Sequence, residues 1–259
     1  MNNSFYIGAT GLRAQQTALD VVSNNLANLN TNAFKRGSVV FAELVTPAAD
    51  PVLSTEPTPK APSSAGLGVA VLDLPKVLTA GDYKRTNAPM DVAVRGSGFL
   101  ELQSQSGETL VWRGGTMAVS KDGLLTAPQG SPLKGVSALP RGTQLVTIDE
   151  MGRVFASTGA SITPRQVGQL ELVSAQTTSA LEGLGDGVYR LSEKQTDVVR
   201  ARPGDQGLGT LAQGYIEGSN VNITEEMVSL MWIQRSYGAN ARVIQAADEL
   251  MGMTNSLKR

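Results

Sequence analysis

The chain has 259 residues with nearly balanced charge, 22 Lys plus Arg against 23 Asp plus Glu, and it contains neither cysteine nor histidine. That composition removes disulfides, thiol nucleophiles, zinc sites built on imidazole or thiolate, and every His-based acid–base mechanism. It also offers no basic surface for nucleic acid or anionic lipid.

The length is ample for one large domain or two modest ones. An aromatic content of 5% with 28 Gly and 12 Pro suits a β-rich body with many turns. Residues 4 to 29 read as a first helix, because Phe5, Leu12, Leu19, Val22, Leu26 and Leu29 step by sevens, threes and fours along one face. Gly8 and Gln15 weaken that stripe. Asn28, Asn30 and Asn32 then stop the helix, since Asn tolerates the left-handed conformation and bonds its own backbone. No Lys or Arg precedes Arg13 and no apolar run of secretory length occurs, so a cleaved signal peptide is not expected. No stretch of about eighteen apolar residues exists to span a membrane.

Ser38 to Val45 is compatible with either a strand or a short second helix. Residues 46 to 66 carry Pro47, Pro51, Pro57, Pro59 and Pro62 among Ser, Thr and Ala, the composition of an extended linker or of an arm lying on a neighbouring subunit. From Gly68 to about Ala212 the signals are strands and tight turns. Strands are expected at 69–74, 91–94, 99–102, 144–148 and 169–173, with hairpin turns at Lys121-Asp122-Gly123 and Asp186-Gly187. No βαβ alternation calls for a parallel nucleotide-binding sheet.

The last helix, about Ile223 to Leu257, has Asn222 as a cap, Glu225 as its capping-box partner and Lys258-Arg259 at its C-terminal end. Its stripe is Ile223, Met227, Leu230, Tyr237, Ala241, Ile244 and Met251, broken by Gln234 and Asp248. Marginal stripes at both ends suit helices that order fully only when many copies pack together.

Three motifs carry a family resemblance. Asn24-Asn25-Leu26-Ala27-Asn28-Leu29-Asn30-Thr31-Asn32-Ala33-Phe34-Lys35-Arg36 resembles the N-terminal signature of the bacterial flagellar basal-body rod and hook proteins. Gly96-Ser97-Gly98-Phe99 after Asp91-Val92-Ala93-Val94 resembles the central motif, and Gln213 to Asn222 the C-terminal one. Two departures stand out. The usual Gly before the Phe of the first signature is Ala33, and the aromatic-Thr-Arg-Asp-Gly element is Trp112-Arg113-Gly114-Gly115-Thr116. Length and the Pro-rich insertion are more similar to distal than to proximal rod subunits.

The resemblance implies a non-enzymatic axial subunit, part of the drive shaft that transmits torque from motor to hook, crossing the periplasm and exported without a cleaved signal. The implied partners are copies of itself, other rod subunits and the hook, the surrounding basal-body rings and the export apparatus. No cofactor or metal is expected. The expected fold class is α+β, with the long N- and C-terminal helices packing as a coiled-coil-like pair around an all-β middle region. Residues 1–35 plus 220–259 are expected as the terminal-helix assembly domain, 36–67 as the arm or linker and 68–219 as the β-rich outer domain. The thirteen stripe residues are the expected assembly interface.

Rival chemistry is poorly supported. Ser131 and Lys134 have Ser-x-x-Lys spacing without a helix to align them, Gly183 to Gly187 lacks the Lys-Ser/Thr of a phosphate loop, and Asp149 and Glu150 are adjacent rather than facing carboxylates. A secreted β-rich binding module is the other alternative, although it would not need matched terminal helices.

Overall fold

The computed structural model describes residues 2–45, 66–104, 108–159, 164–175, 181–191 and 198–256. The Pro-rich arm, apart from Gly66, and the Lys258-Arg259 helix end lie outside them. The chain divides into two compact units, one built on Met1–Asn24, Ser38–Leu74 and Ile223–Arg259, the other on Asn25–Gly37 and Pro75–Asn222.

The first unit contains α1 (Asn2–Ala27), β1 (Val40–Val45), β2 (Gly66–Asp73) and α2 (Ile223–Ser256). The ambiguous segment after residue 38 is therefore a strand, pairing antiparallel with β2 from Val40 opposite Asp73 to Val45 opposite Gly66. Gly68, at φ 104°, lies against Thr10 of α1 and leaves no space for a Cβ. The two helices run antiparallel, with a Cβ built at Gly8 falling 2.6 Å from Ile244 and one at Gly11 falling 2.9 Å from Asn240.

The expected coiled-coil-like pair around an all-β middle is corrected on two counts. A coiled coil buries large a and d side chains in a continuous seam, yet the deepest line of α1 is Gly8, Ala14, Ala18, Val22 and Asn25. Small residues allow close backbone approach, so the Leu stripe is displaced to the flank of the contact. Leu12, Leu19, Leu26 and Leu29 are half-buried, while on α2 Ile223, Met227 and Tyr237 are exposed. Secondly, the helices associate with the β1–β2 hairpin as a unit of their own.

The second unit begins with β3 (Tyr83–Arg85), β4 (Asp91–Arg95), β5 (Phe99–Leu102), β6 (Thr109–Trp112), β7 (Gly114–Thr116), β8 (Ala118–Val119) and β9 (Leu125–Thr126). It continues with β10 (Thr143–Ile148), β11 (Arg153–Thr158), β12 (Arg165–Gln169), β13 (Leu172–Ala175), β14 (Leu181–Gly185), β15 (Val188–Leu191), β16 (Val198–Ala201), β17 (Thr210–Gln213) and β18 (Tyr215–Glu217).

Its largest sheet has the order β14-β15-β6-β5-β13-β16 and is antiparallel throughout. Leu172, Leu100, Trp112 and Val188 align in one row across it and bury into the main core with Leu125, Leu133 and Leu211. The neighbouring positions Phe99, Val111, Val173 and Tyr189 point to the opposite face and form a second cluster, the two-residue alternation of a strand.

Sheet β17-β4-β7 and sheet β10-β11-β12 complete the main layers. The strand expected over 169–173 is instead the junction of β12 and β13, which belong to different sheets. The break follows Leu170, whose N–H still donates to Gly152 O in the β11–β12 register, whereas Leu172 already pairs with Leu100 of β5. Both expected hairpin turns are present, and Asp186 (φ 52°) with Gly187 (φ 72°) gives the paired positive φ of a type I′ turn.

Candidate functional site

After α1 the chain does not simply wander off. Asn25 closes the turn through its side chain, which donates to Gly37 O at 3.0 Å and accepts from Gly37 N–H at 2.8 Å. Inside that loop Ala33 takes a left-handed conformation, φ 56°, and its N–H donates to Glu217 O at 2.8 Å. This delivers Lys35 into the β-rich unit, where its side chain is fully buried.

Lys35 Nζ lies 2.7 Å from Glu217 Oε1, and Arg113 Nε lies 2.7 Å from Glu217 Oε2. One carboxylate thus bridges two cations, with all three side chains no more than 2% exposed. The remaining donors are satisfied by backbone: Lys35 Nζ donates to Thr79 O, Arg113 to the carbonyls of Gly96 and Gly98, and Gly81 N–H to Glu217 Oε1. Tyr189 completes the shell, its hydroxyl accepting from Lys35 N–H at 3.1 Å and donating to Ala33 O at 3.0 Å. Burial holds the Lys35 ammonium pKa below the ordinary lysine value, aided by the like charge of Arg113 and opposed by Glu217. Burial likewise raises the Tyr189 phenol. Asn220 adds a peripheral tie, accepting from Arg36 N–H at 2.7 Å and donating to Val77 O at 2.8 Å.

The three sequence motifs therefore meet at one buried junction. The N-terminal signature supplies Lys35, the C-terminal one Glu217 and Asn220, and the central one the carbonyls that receive Arg113. None of these charges belonged to the expected interface. Their signal in the sequence was Lys35 at the end of the Asn-rich first signature, Arg113 between Trp112 and the Gly114-Gly115 pair, and Glu217 before Gly218 in the third motif. The altered Trp112–Thr116 element retains its Arg as the strand-to-strand joint between β6 and β7, where Gly114 (φ 114°) packs on Val92 O.

The expected interface residues all fall on α1, the turn after it, and α2. Val22 is buried. Phe5, Leu12, Leu19, Leu26, Leu29, Leu230, Ala241, Ile244 and Met251 are half-buried, whereas Ile223, Met227 and Tyr237 are exposed. A second apolar row, Val228, Trp232, Val243, Leu250 and Met253, is exposed on α2, with Trp232 64% accessible. At 100° per residue this row lies on the side of the helix away from Leu230, Ile233 and Ile244.

The rival chemistries find no geometry. Lys134 Nζ, the amine at Ser-x-x-Lys spacing, is engaged at 2.9 Å by Glu101, which also pairs with Arg200 at 3.0 Å. Asp149 accepts from Met151 and Arg153 to hold a turn. Gly185 to Gly187 are the β14–β15 hairpin turn. Among the described residues no group of three or more Asp or Glu could hold a metal ion, and no helix is long and apolar enough to cross a membrane.

Comparison with known proteins matches the same three regions. Residues 5–35 match the family described as flagella basal body rod protein, 93–156 the flagellar hook protein FlgE/F/G D1 domain, and 212–257 the flagellar basal body rod FlgEFG protein C-terminal. Each matched region contributes one charge of the junction. The flagellar basal-body rod protein FlgG of Buchnera aphidicola from Acyrthosiphon pisum is 33% identical over 98% of this chain and 99% of its own length. FlgG of Agrobacterium fabrum is 33% identical over 96% and 97%. The rod protein FlgF of Caulobacter vibrioides is 28% identical over 96% and 95%. With a shared signature at each end, a matched β-rich centre and near-complete coverage, the chain belongs to the flagellar basal-body rod protein family and is a structural subunit, not an enzyme.

Proposed function

We propose that this subunit forms part of the distal rod, transmitting torque toward the hook, and that it assembles through its terminal helices with copies of itself, other rod subunits and the hook. The surrounding basal-body rings and the export apparatus are the further partners in this reading. The rod crosses the periplasm, and the chain reaches it without a cleaved signal. Residues 1–35 with 220–259 serve as the assembly domain, residues 36–67 as an arm, and 68–219 as the outer layer. The thirteen stripe residues form the assembly interface.

The observation that carries this is the apolar character of α2 on two opposite sides. A helix that carries apolar rows on two opposite sides buries both only when it is covered on both. The α1 contact covers one, and the exposed row through Trp232 is the surface offered to another chain. Higher identity to FlgG than to FlgF supports the distal position.

The test is incorporation in cells. Trp232→Glu and Leu230→Glu are expected to abolish rod assembly and motility, while Met151→Glu, an exposed apolar site on the β-rich unit, leaves both intact. Normal rods built from either helix variant would overturn the proposal.

A further inference from the structure

A second surface of the β-rich unit points to a partner independently of the rod reading. Strand β10 stands at the end of its three-stranded sheet, so β11 occupies only one of its edges. Near Ile148 the other edge is already covered. Leu211 N–H donates to Glu150 O at 3.1 Å, and the Gln213 carboxamide accepts from Ile148 N–H at 2.9 Å and donates to Val146 O at 2.7 Å. A side-chain amide here takes the place that a neighbouring strand's peptide group would fill.

In an antiparallel strand the N–H and C=O of one residue point to the same side. Val146 N–H therefore faces away from β11, beside the carbonyl that Gln213 occupies. There the covering strand has ended, and the edge opens into a cleft of about 680 Å³. Met90, Val119 and Leu139 supply apolar lining, and Lys121 and Arg141 face it against a single acid, Asp122. Val119 is 47% exposed, although it is apolar.

We infer that this edge of β10 receives, by strand addition, an extended segment of a partner polypeptide bearing acidic side chains. The Val146 N–H, whose carbonyl Gln213 already holds, supplies the main-chain attachment, the apolar lining takes alternate side chains, and Lys121 with Arg141 selects for carboxylates.

The experiment is an amide-resolved NMR titration of the full chain with three capped peptides: one alternating Val and Glu, one alternating Val and Lys, and the Glu peptide with N-methylated backbone. The Glu peptide is expected to shift the Val146 amide saturably, and the other two to leave it unmoved. Lys121→Glu with Arg141→Glu should weaken binding at least about tenfold, with the Leu100 and Leu172 amides reporting an intact core. Weakening of Glu-peptide binding by added salt in the unaltered protein checks the same charge term without substitution. Absence of a Val146 shift, equal binding of the Lys or N-methylated peptide, or binding indifferent to salt would overturn the inference. So would a Val146 shift on raising protein concentration alone, which would assign the edge to a second copy.

Discussion

Gly187 lies where any Cβ it carried would fall 2.8 Å from the Cβ of Ala33, and both residues have positive φ, 72° and 56°. The methyl of Ala33 is thus accommodated by a hairpin glycine far along the chain. Because both positions are left-handed, Gly187→Ala should cost about 2–3 kcal/mol from backbone strain and overpacking. In an Ala33→Gly background the same change should cost about 1 kcal/mol less. Denaturant unfolding of the four proteins in this cycle checks it, and additive effects would mean that the two methyls do not collide.

The junction of Lys35, Arg113 and Glu217 is asymmetric in charge. Glu217→Gln strands two buried cations and should destabilise the β-rich unit by about 3–5 kcal/mol. Lys35→Met leaves a neutral Arg–Glu pair in an apolar setting and should cost about 1 kcal/mol or less. Urea midpoints at neutral pH separate the two, and equal losses would refute the argument.

Alkaline pH offers a test with a defined sign. The Lys35 pKa is lowered in the folded chain from 10.5, so between its folded value and 10.5 the unfolded chain binds more protons. Stability should rise with pH across that window. Tyr189 acts oppositely above 10.0, where the unfolded phenol begins to ionise while the buried one does not. The difference in unfolding free energy between the native chain and Lys35→Met, followed upward from neutral pH, isolates the lysine. A difference that does not change with pH would exclude the proposed linkage.

On the acid side, burial pushes the Glu101 carboxyl up, but hydrogen bonds and charge from Arg200 and Lys134 together outweigh it and hold the pKa below 4.5. Its contribution is complete above 4.5 and is lost as pH falls through the folded value. Arg200→Met should therefore flatten the acid limb of the stability profile, and acid titrations of both proteins by circular dichroism provide the comparison.

For the isolated monomer, hydrogen exchange should be faster over α1 and α2, where the row through Trp232 is exposed, than in the row Leu100, Trp112 and Leu172 and at the Ala33 and Lys35 amides tied to Glu217 and Tyr189. Uniform protection would describe a self-sufficient domain and weaken the assembly reading.

The periodic elements were legible in sequence because apolar spacing directly encodes a helix face, and β4, β5 and β10 fell where alternating or continuous apolar runs are followed by Gly, Ser or Asp. The helix contact was not, because Leu12 and Leu19 dominate the pattern while Gly8 and Gly11 are the residues that lie against Ile244 and Asn240 of α2. Hydrophobicity ranks residues by transfer energy and is silent about the room that small ones create. The charge junction escaped for a different reason: a lysine, an arginine and a glutamate in three distant motifs read as surface residues until tertiary pairing places them together. The split at Leu170 was equally hidden, since an apolar run continues across two sheets.

Lys35 and Glu217 are 182 residues apart, and the distance has a kinetic meaning. Closing so long a loop must precede any reward from the ion pair, the ordering that makes high-contact-order β proteins slow to fold. Whichever end of the chain becomes available first, neither cation can be neutralised until most of the polypeptide has arrived. The junction is in effect a clasp on completeness: a partly delivered chain holds its motifs but cannot lock them, and commits to its final form only when both ends are present.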